Sequence, residues 1–415
     1  MDEVVEVTIE KMTHGGDAMG RLPDSRAVFV PYVIPGERVR VRLVEEKKRY
    51  ARAELFEVIE PSPLRIEPRC PHFGECGGCQ FQHVSYATQL EFKTGILRDQ
   101  LNRIGHIPDP PLQPIQPSPD HWNYRNHVQF HLDEKGHLGF LAPGSKRVVP
   151  VRECHLPEGT MNDLWPQFEF EADTGINRVS LRSGVEGEIL VLLEGDYPET
   201  PILELESGIS VVHQFQEECL VLAGDDHSFI KVQPSPLTPG RSFKVSAASF
   251  FQVNTPMAAA LVDQLLVNLP EKIETLLDVY CGVGLFSAFL APRNSRLIGV
   301  EVSESACDDF AENLDEFDHV EIYQDAAENV LPALDVKPDV VLVDPPRAGL
   351  QPVVLDAILE MQPKIIAYIS CDPATLARDA SLLIKGGYSL QKITPFDLFP
   401  QTHHIESVSF FLLPL

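Results

Sequence analysis

Residues 251–415 alternate short apolar segments with helical segments, and this alternation restricts the fold more than any other feature of the chain. The apolar segments are continuous runs, which is typical of parallel strands that are buried on both faces. Strands separated by helices in this way form a doubly wound α/β domain. The predicted strands are Leu276–Tyr280, Leu297–Val302, Val320–Tyr323, Val340–Asp344 and Ile365–Ser370, with two C-terminal strands near Leu390 and at Val408–Leu412.

The first 62 residues show a different pattern, in which apolar and polar residues alternate with period two. With turn signals between these segments, the pattern predicts a small β-barrel. From Arg38 to Arg52 the chain has seven basic and two acidic residues, a local net charge of +5. Arg38, Arg40 and Arg42 would project from one face of a strand. They form either a solubilising edge strand or, as we favour in so acidic a chain, a surface that contacts phosphates.

The overall charge limits the partners that the chain can bind. Its 415 residues include 34 Lys and Arg against 61 Asp and Glu, a formal net charge of −27, so a polyanion would have to bind to local basic patches. The longest apolar runs are far shorter than the roughly 18 residues of a membrane span. Acidic residues stand at the N-terminus, where a secretory signal would have basic ones. We expect a cytoplasmic, monomeric protein that does not contact a membrane.

Two proline-rich breaks divide the chain. Pro61-Ser62-Pro63 ends the barrel segment, and residues 108–119 hold six prolines, which exclude a regular helix and indicate an extended connector. Between the breaks, Ser85 is a candidate N-cap of a helix over Tyr86–Ile104. Residues 122–250 are again β-rich. The predicted domains are therefore 1–62, 63–250 and 251–415.

The first strand-to-helix turn of the C-terminal domain has the composition of a nucleoside-binding site. The segment LLDVYCGVGLFS places Gly282 and Gly284 where glycines let a ligand approach the backbone. Glu301 ends the next strand, 19 residues after Gly282, and an acid at about 20 residues binds ribose hydroxyls in such units. Because GxGxxG is absent, the sequence favours an adenosyl ligand without phosphates over a dinucleotide.

Candidate reactive residues lie at the ends of three other strands. Asp344, in VVLVDPPRAGL, lies at the edge where open α/β sheets bind ligands, although Asp before Pro also starts turns. Cys371, in YISCDPATLARD, precedes a helix whose N-terminus would lower the pKa of the thiol. This position favours a nucleophile over a buried apolar cysteine. Glu406, at the start of the last strand, is either a rim residue or a general base.

Three cysteines lie close together in the segment CPHFGECGGC. Cys70, Cys76 and Cys79 are separated by five and by two residues, and two glycines would let the backbone fold around an inorganic core. The pattern indicates thiolate ligation of an iron–sulfur cluster or of zinc. Cys154 is the best candidate for the fourth ligand. We expect iron and sulfur because the spacing is not that of a paired CxxC zinc finger.

The order of these motifs resembles the RNA uridine-5-methyltransferase family, in its long form with an N-terminal TRAM domain and an iron–sulfur cluster. The similarity covers essentially the whole chain, through CPHFGECGGCQ, WNYRNH, FFQVN, LDVYCGVGLFS, GVE, DPPRAGL, YISCDPATLARD and FPQTHHIE. It implies an OB-like TRAM barrel, a central cluster-binding β-rich domain and a Rossmann-like class I methyltransferase domain. The chain has SCDP where the family usually has SCNP, and FPQT where FPHT is usual. The carboxylate of Asp372 beside the nucleophile would oppose formation of the thiolate.

The resemblance implies S-adenosylmethionine-dependent methylation of carbon 5 of a uridine in RNA. Cys371 matches the nucleophile of the family, and Glu406 matches its proton acceptor. The residues expected to bind S-adenosylmethionine are Gln252, Tyr280, Gly282, Glu301 and Asp344, and the expected ligands of a [4Fe-4S] cluster are Cys70, Cys76, Cys79 and Cys154.

The expected partner is RNA. This form of the family most often acts on 23S ribosomal RNA, and the T-loop of tRNA is the nearest alternative. Trp122, Tyr124 and Arg125 are residue types that stack on bases and contact phosphates, although their segment also fits an ordinary strand with a buried aromatic. A non-catalytic RNA-binding assembly factor is disfavoured because Cys371 and Glu406 are intact. A redox protein is disfavoured because no motif resembles a flavin or ferredoxin partner site.

Overall fold

The computed structural model describes residues 4–172, 174–196, 208–216 and 218–414. Its N-terminal strands form a closed barrel, which confirms the predicted β-barrel. The last strand along the barrel pairs antiparallel with the first, so that no edge stays open. In chain order the strands are β1 (Val4–Met12), β2 (Ala18–Arg21), β3 (Ala27–Val30), β4 (Arg38–Glu46) and β5 (Tyr50–Glu60).

The apolar core of the barrel includes residues from outside it. Phe81, Val84 and Ile96 from the following segment are buried against the barrel, and so is Ile405 from near the C-terminus. The barrel is therefore held against the last part of the chain by apolar burial, which stabilises by about 25 cal/mol for each Å² removed from water. The boundary at residue 62 stays a prediction.

The central part begins with a helix and continues as a sheet. Ser85 caps the helix by accepting a hydrogen bond from the N–H of Thr88 at 3.3 Å, as predicted. The described residues that follow form a seven-stranded sheet in the order β12-β11-β10-β9-β6-β7-β8 and a two-stranded sheet of β13 and β14. The elements are α1 (Tyr86–Arg103), β6 (His127–Leu132), β7 (Leu138–Leu141), β8 (Val148–Pro150), α2 (Gly159–Leu164), β9 (Ile176–Ser183), β10 (Ile189–Gly195), β11 (Ile209–Phe215), β12 (Glu218–Ala223), β13 (His227–Val232) and β14 (Arg241–Ser246).

The proline-rich connector is extended, as predicted, but it is not free. The N–H groups of Gln113 and Gln116 donate to the carbonyls of Ile393 and Pro395, each at 2.8 Å. The connector thus pairs with an outer strand of the C-terminal sheet through the few N–H groups that its prolines leave. An edge that would otherwise be open is covered.

The C-terminal part is the predicted doubly wound α/β domain. Its sheet has the order β17-β16-β15-β18-β19-β21-β20, in which β21 runs antiparallel to both neighbours. Apolar clusters cover both faces of the sheet, as the continuous apolar runs predicted. Its elements are α3 (Thr255–Asn268), β15 (Ile273–Val279), α4 (Leu285–Leu290), β16 (Asn294–Glu301), α5 (Glu304–Asn313), β17 (Val320–Gln324), α6 (Ala327–Ala333), β18 (Val340–Val343), α7 (Pro352–Met361), β19 (Ile365–Ser370), α8 (Pro373–Lys385), β20 (Ser389–Phe396) and β21 (Glu406–Leu412).

None of the helices in the described part of the chain combines the length and the hydropathy that a bilayer span requires.

Candidate functional site

The candidate reactive residues meet at one edge of the C-terminal sheet. The parallel strands β15, β16, β18 and β19 end there, and the antiparallel β21 begins there. Ser370 is paired with Ser407, so the residues next to this pair, Cys371 and Glu406, lie at adjacent positions of neighbouring strands. A sheet with one reversed strand thus brings together residues that are distant in the sequence.

The turn after β15 has the left-handed backbone that its glycines allow. Gly282 and Gly284 have φ of +53° and +87°, and Tyr280 between the strand and the turn has φ of +66°. A Cβ on Gly284 would lie 2.4 Å from Leu314 Cδ1, so close packing requires glycine there. A Cβ on Gly282 would meet no atom within 4 Å, which leaves space beside the turn.

The Glu301 carboxylate is fixed beside this turn. Its Oε2 accepts a hydrogen bond from the N–H of Gly282 at 3.0 Å, and its Oε1 accepts from Val302 and Ser303 at 2.8 and 2.9 Å. The acid predicted at the end of the second strand therefore lies next to the predicted glycine turn. Gln252 lies in the loop before α3, where its carbonyl accepts from Asn126 Nδ2 at 3.0 Å.

Three carboxyl groups, those of Glu301, Asp278 and Asp344, form a row that leads toward Cys371. We call them the carboxyl row. Burial and the charge of Glu301 raise the pKa of Asp278 to about 7, against a hydrogen bond from Ser287. Desolvation and Asp278 raise the pKa of Asp344 to about 7. Asp278 Oδ1 is buried without a hydrogen-bond partner in the described residues. A cationic ligand bound beside the carboxyl row would stabilise the ionised form of these groups and lower their pKa.

Glu406 is almost fully buried next to this row, at 3% exposure. Burial and the charge of Asp344 raise the pKa of Glu406 well above its ordinary value, although Arg347 opposes the shift. Its Oε1 has no hydrogen-bond partner among the described residues. Once ionised, a carboxylate with a raised pKa is a stronger proton acceptor than an ordinary carboxylate, which suits the role of a general base.

Cys371 is half-buried and its thiol is not bonded to another cysteine. Burial, with the charges of Glu406 and Asp344, raises the pKa of the Cys371 thiol to about 12, and Arg347 opposes this shift. The sequence predicted a lowered pKa, and this prediction was wrong for the protein without ligands. Burial and the charges of Glu406 and Asp344 outweigh any effect of the helix. In addition, the first N–H groups of α8 donate to the Asp372 carboxylate, which caps the helix in place of the thiol.

Arg347 was not among the predicted site residues. It follows Asp344 in the DPPRAGL loop, and its Nη2 lies 3.2 Å from Nε2 of His404. Burial and the neighbouring His403 lower the pKa of His404 to about 2, so the imidazole is neutral at physiological pH. The sequence does show a basic residue in the loop that follows a predicted ligand-binding strand, which could have marked Arg347 as a site residue. The proximity of Arg347 to Glu406, however, depends on tertiary structure.

The four predicted cluster ligands come from two segments that face each other. Burial raises the pKa of Cys79 to about 12, with smaller contributions from Cys154 and Cys76, so these thiols interact. The Gly78 N–H lies 3.4 Å from Cys76 Sγ. A Cβ on Gly77 would lie 2.6 Å from Leu141 O, which makes glycine necessary for the close approach. Within the described ranges, no three His, Cys, Asp or Glu side chains are arranged to hold a metal ion.

Arg38 and Arg40, on the face of the barrel, form ion pairs with neighbouring acids. Arg38 Nη2 lies 2.6 Å from Glu60 Oε1, and Arg40 Nη1 lies 2.9 Å from Glu57 Oε2. The Arg42 guanidinium lies 5.8 Å from the centre of the Phe56 ring. The three arginines lie on one strand, as predicted. The local net charge of +5 for residues 38–52 overstates the basic surface, because acids on neighbouring strands pair with Arg38 and Arg40.

The predicted base-stacking residues do not share one surface. Tyr124 is 3% exposed and its hydroxyl donates to Pro400 O at 3.0 Å, so its ring belongs to the interior. The Arg125 guanidinium lies 6.0 Å from the centre of the Tyr124 ring and 5.7 Å from the centre of the Phe399 ring. Trp122 is half-buried and stacks with the exposed Arg69, whose guanidinium lies 5.2 Å from the ring centre.

Comparisons with known proteins agree with the fold described above. The family model described as tRNA (Uracil-5-)-methyltransferase matches residues 238–413, and the TRAM domain model matches residues 3–56. An uncharacterized RNA methyltransferase of Halalkalibacterium halodurans is 36% identical, with 98% of this chain and 96% of that protein covered. One from Thermosynechococcus vestitus is also 36% identical, with 98% and 97% covered. The crystal structure of Pyrococcus abyssi tRNA (uracil-54, C5)-methyltransferase with S-adenosyl-L-homocysteine has a TM-score of 0.74 and 26% identity, with 98% of this chain and 99% of that chain covered.

Proposed function

Because the chain belongs to the RNA uracil-5-methyltransferase family, which methylates carbon 5 of uracil in RNA with S-adenosylmethionine, we propose that Cys371 is the nucleophile of this reaction and Glu406 its base. The observation that carries this assignment is the pairing of β19 with β21, which sets Cys371 beside Glu406 at the sheet edge. The two side chains lie close enough that the charge of Glu406 raises the pKa of the Cys371 thiol.

The residues perform complementary steps. Carbon 5 of uracil is too weak a nucleophile to take a methyl group directly, so the Cys371 thiolate adds to carbon 6 and forms a C–S bond, with the electron pair moving into an enolate. S-adenosylmethionine, when bound, supplies the methyl group to carbon 5. The Glu406 carboxylate then accepts the carbon 5 proton. The electron pair of that C–H bond restores the ring double bond, the C–S bond breaks and the thiolate is regenerated.

In this proposal, binding of the cationic S-adenosylmethionine promotes ionisation of the Cys371 thiol. With a pKa of about 12, the thiol is protonated in the free protein at neutral pH. Arg347 lowers the pKa of both Cys371 and Glu406, and a cationic ligand beside the carboxyl row would act in the same direction. The nucleophile would then form mainly when the ligand is present, which limits side reactions of a free thiolate.

The residues proposed to hold S-adenosylmethionine are Gln252, Tyr280, Gly282, Glu301 and Asp344. Two features of the site fit this ligand: the space beside Gly282, and the Asp278 oxygen that has no hydrogen-bond partner in the described part of the chain. The fixed Glu301 carboxylate suits ribose hydroxyls. The carboxyl row suits the positive charges of the sulfonium and amino groups.

Cys70, Cys76, Cys79 and Cys154 are proposed to bind a [4Fe-4S] cluster. Four thiols from two segments match the number of ligands that such a cluster needs. Three of the thiols accept hydrogen bonds from backbone N–H groups, which lower the thiol pKa while burial raises it. The pairs are Cys70 with His72, Cys76 with Gly78, and Cys154 with Leu156. Hydrogen bonds of this kind stabilise ligating thiolates. The role that follows from the position is structural, because the cluster would join the 70–79 loop to the 154 segment.

The proposed substrate is a uridine in 23S ribosomal RNA, as the resemblance implies. The alternative is the tRNA T-loop, which is favoured by the likeness to the P. abyssi enzyme that acts on uracil-54 of tRNA. Mapping 5-methyluridine in ribosomal RNA and in tRNA from a deletion strain distinguishes the two. Loss of a methylated position from tRNA alone would contradict the ribosomal substrate.

The experiment that tests the nucleophile uses RNA that contains 5-fluorouridine. Fluorine at carbon 5 cannot leave as a cation, so the reaction stops at the covalent complex. The protein with S-adenosylmethionine is expected to form a complex that survives denaturation, and Cys371→Ala is expected to abolish it. Cys219→Ala, at an exposed cysteine in the central sheet, is the matched control and should retain it. An unchanged complex in Cys371→Ala would refute the assignment.

A further inference from the structure

The hairpin between β1 and β2 of the barrel contacts the residue that follows Cys371. His14 lies in this hairpin, and its Nε2 is 3.0 Å from Oδ2 of Asp372. The other oxygen of the same carboxylate, Oδ1, accepts hydrogen bonds from the N–H groups of Ala374 and Thr375, each at 2.9 Å. Asp372 is therefore held from two sides, by the first turn of α8 and by the barrel.

The position of the hairpin is fixed by contacts that do not involve His14. A Cβ on Gly16 would lie 3.1 Å from His403 Cβ and 3.1 Å from Gln80 Cγ, so the hairpin backbone packs directly against the segment before Glu406. Asp17 O accepts from the N–H and the hydroxyl of Thr13, which closes the hairpin. The structure thus predicts that the hairpin stays in place when His14 is replaced.

The Asp372 carboxylate is charged and lies close to the thiol. Burial alone would raise the pKa of Asp372, but hydrogen bonds from His14 and from the N–H groups of Thr375 and Ala374 hold it at about 2. Its charge is one of those that raise the pKa of Cys371. A carboxylate at this position, where the family usually has Asn, therefore opposes the ionisation that the reaction needs.

We propose that His14 is a positioning residue for Cys371 and that it acts through Asp372. The imidazole donates a hydrogen bond to the carboxylate and holds it along the N-terminus of α8, which limits its effect on the neighbouring thiol. This inference rests on the proposed role of Cys371 as the nucleophile. It gives the TRAM domain a part in preparing the nucleophile, in addition to any contact with RNA.

The test measures how fast iodoacetamide alkylates Cys371 in the full chain, with the modified peptide quantified by mass spectrometry. Four proteins are compared over a range of pH: the unaltered chain, His14→Ala, Asp372→Asn and the double variant. In His14→Ala the rate at neutral pH is expected to fall about three- to tenfold, as for the loss of one hydrogen bond to the carboxylate, and the pH profile to move to higher pH. In the Asp372→Asn background, His14→Ala is expected to change the rate less than about twofold.

Two results would overturn the inference. An unchanged rate in His14→Ala would show that the imidazole does not affect the thiol, and equal slowing in both backgrounds would show that it acts through the fold. His403 faces His14, while Glu406, Asp344 and Arg347 face the thiol, and all four remain in every variant. His14→Gln, which keeps a donor, should retain most of the rate if the hydrogen bond positions the carboxylate.

The assay contains no RNA, so its failure is distinguishable from that of the proposed function. A 5-fluorouridine complex that persists in Cys371→Ala would remove the nucleophile itself. A missing coupling between His14 and Asp372 would remove only the role of His14.

Discussion

Lys93 Nζ lies 2.6 Å from Asp397 Oδ1, and both side chains are fully buried. The same ammonium group donates to Phe399 O at 3.0 Å. Burial lowers the pKa of Lys93, although the charge of Asp397 opposes the shift. This pair joins α1 of the central part to the segment that leads to Glu406, so the position of Glu406, the proposed base, depends on an ion pair between distant parts of the chain.

Replacing Lys93 should therefore destabilise the protein strongly. Lys93→Met leaves the Asp397 carboxylate buried without its cation, which typically costs about 3–5 kcal/mol in the free energy of unfolding. Guanidinium unfolding at neutral pH measures the difference. Lys11→Met is the matched control: Lys11 pairs with Asp99 at 2.9 Å on the surface, and such a pair contributes no more than about 1 kcal/mol. Equal effects of the two substitutions would contradict the importance of the buried pair.

Binding of S-adenosylmethionine should tighten as the pH rises. The pKa values of Asp278 and Asp344 are both about 7, so these carboxyl groups are mostly protonated at pH 6 and mostly ionised at pH 8. A cationic ligand is attracted only to the ionised form, and one linked ionisation changes the affinity about tenfold over this interval. Calorimetric titration with S-adenosylmethionine at several pH values measures this change in affinity. S-adenosylhomocysteine, which lacks the sulfonium charge, should show a weaker dependence, and an equally flat profile for both ligands would exclude the carboxyl row as their site.

Patterns within one segment predicted the elements well, because their causes are local. The continuous apolar run at Ile365–Ser370 is a strand buried in the sheet, and Ser85 caps α1 as its side chain predicts. The alternation in residues 251–415 likewise fixed the sheet edge at which Glu301, Asp344 and Cys371 lie.

Relationships between distant segments could not be predicted in this way. The local rule that a helix N-terminus lowers a thiol pKa failed at Cys371, because Asp372 takes the N–H groups and buried acids from other strands lie nearby. The contact of His14 with Asp372 requires the barrel to dock on the C-terminal domain. The acids that neutralise Arg38 and Arg40 come from the neighbouring strands of the barrel, so counting charge along one segment overestimated the basic surface.

Replacing Glu406, the proposed base, should stop the reaction after methyl transfer. Glu406→Gln cannot accept the carbon 5 proton, so the turnover rate for release of methylated RNA is expected to fall about 10²–10⁴-fold, while Cys371 still adds to the ring and carbon 5 still takes the methyl group. Protein–RNA complexes with ordinary uridine RNA should then accumulate and survive a denaturing gel. The Cys371→Ala/Glu406→Gln double variant should form none. A Glu406→Gln protein that turns over normally would assign the proton to another group.

If the four cysteines bind the proposed cluster, changing any one of them should remove it. Cys79→Ser or Cys154→Ser, purified without oxygen, is expected to contain less iron and sulfide and to lose the visible absorption of the cluster. Cys219→Ser provides the control, because Cys219 is exposed in β12, outside the proposed set. The free energy of unfolding should fall in the ligand variants, since a bound cluster stabilises only the folded state. Full iron content in Cys154→Ser would mean that the fourth ligand lies elsewhere.

The barrel arginines should contribute less to RNA affinity than Arg69. Arg40 pairs with Glu6 and Glu57, so Arg40→Ala removes a charge that is already neutralised and should change affinity less than about twofold. The exposed Arg69 stacks on the Trp122 ring, and its guanidinium can still contact a phosphate. Arg69→Ala should weaken binding to a labelled RNA hairpin and reduce the slope of log affinity against log salt by about one. A larger loss in Arg40→Ala would show that the Glu6 and Glu57 pairs open on binding and that the barrel face contacts the RNA backbone.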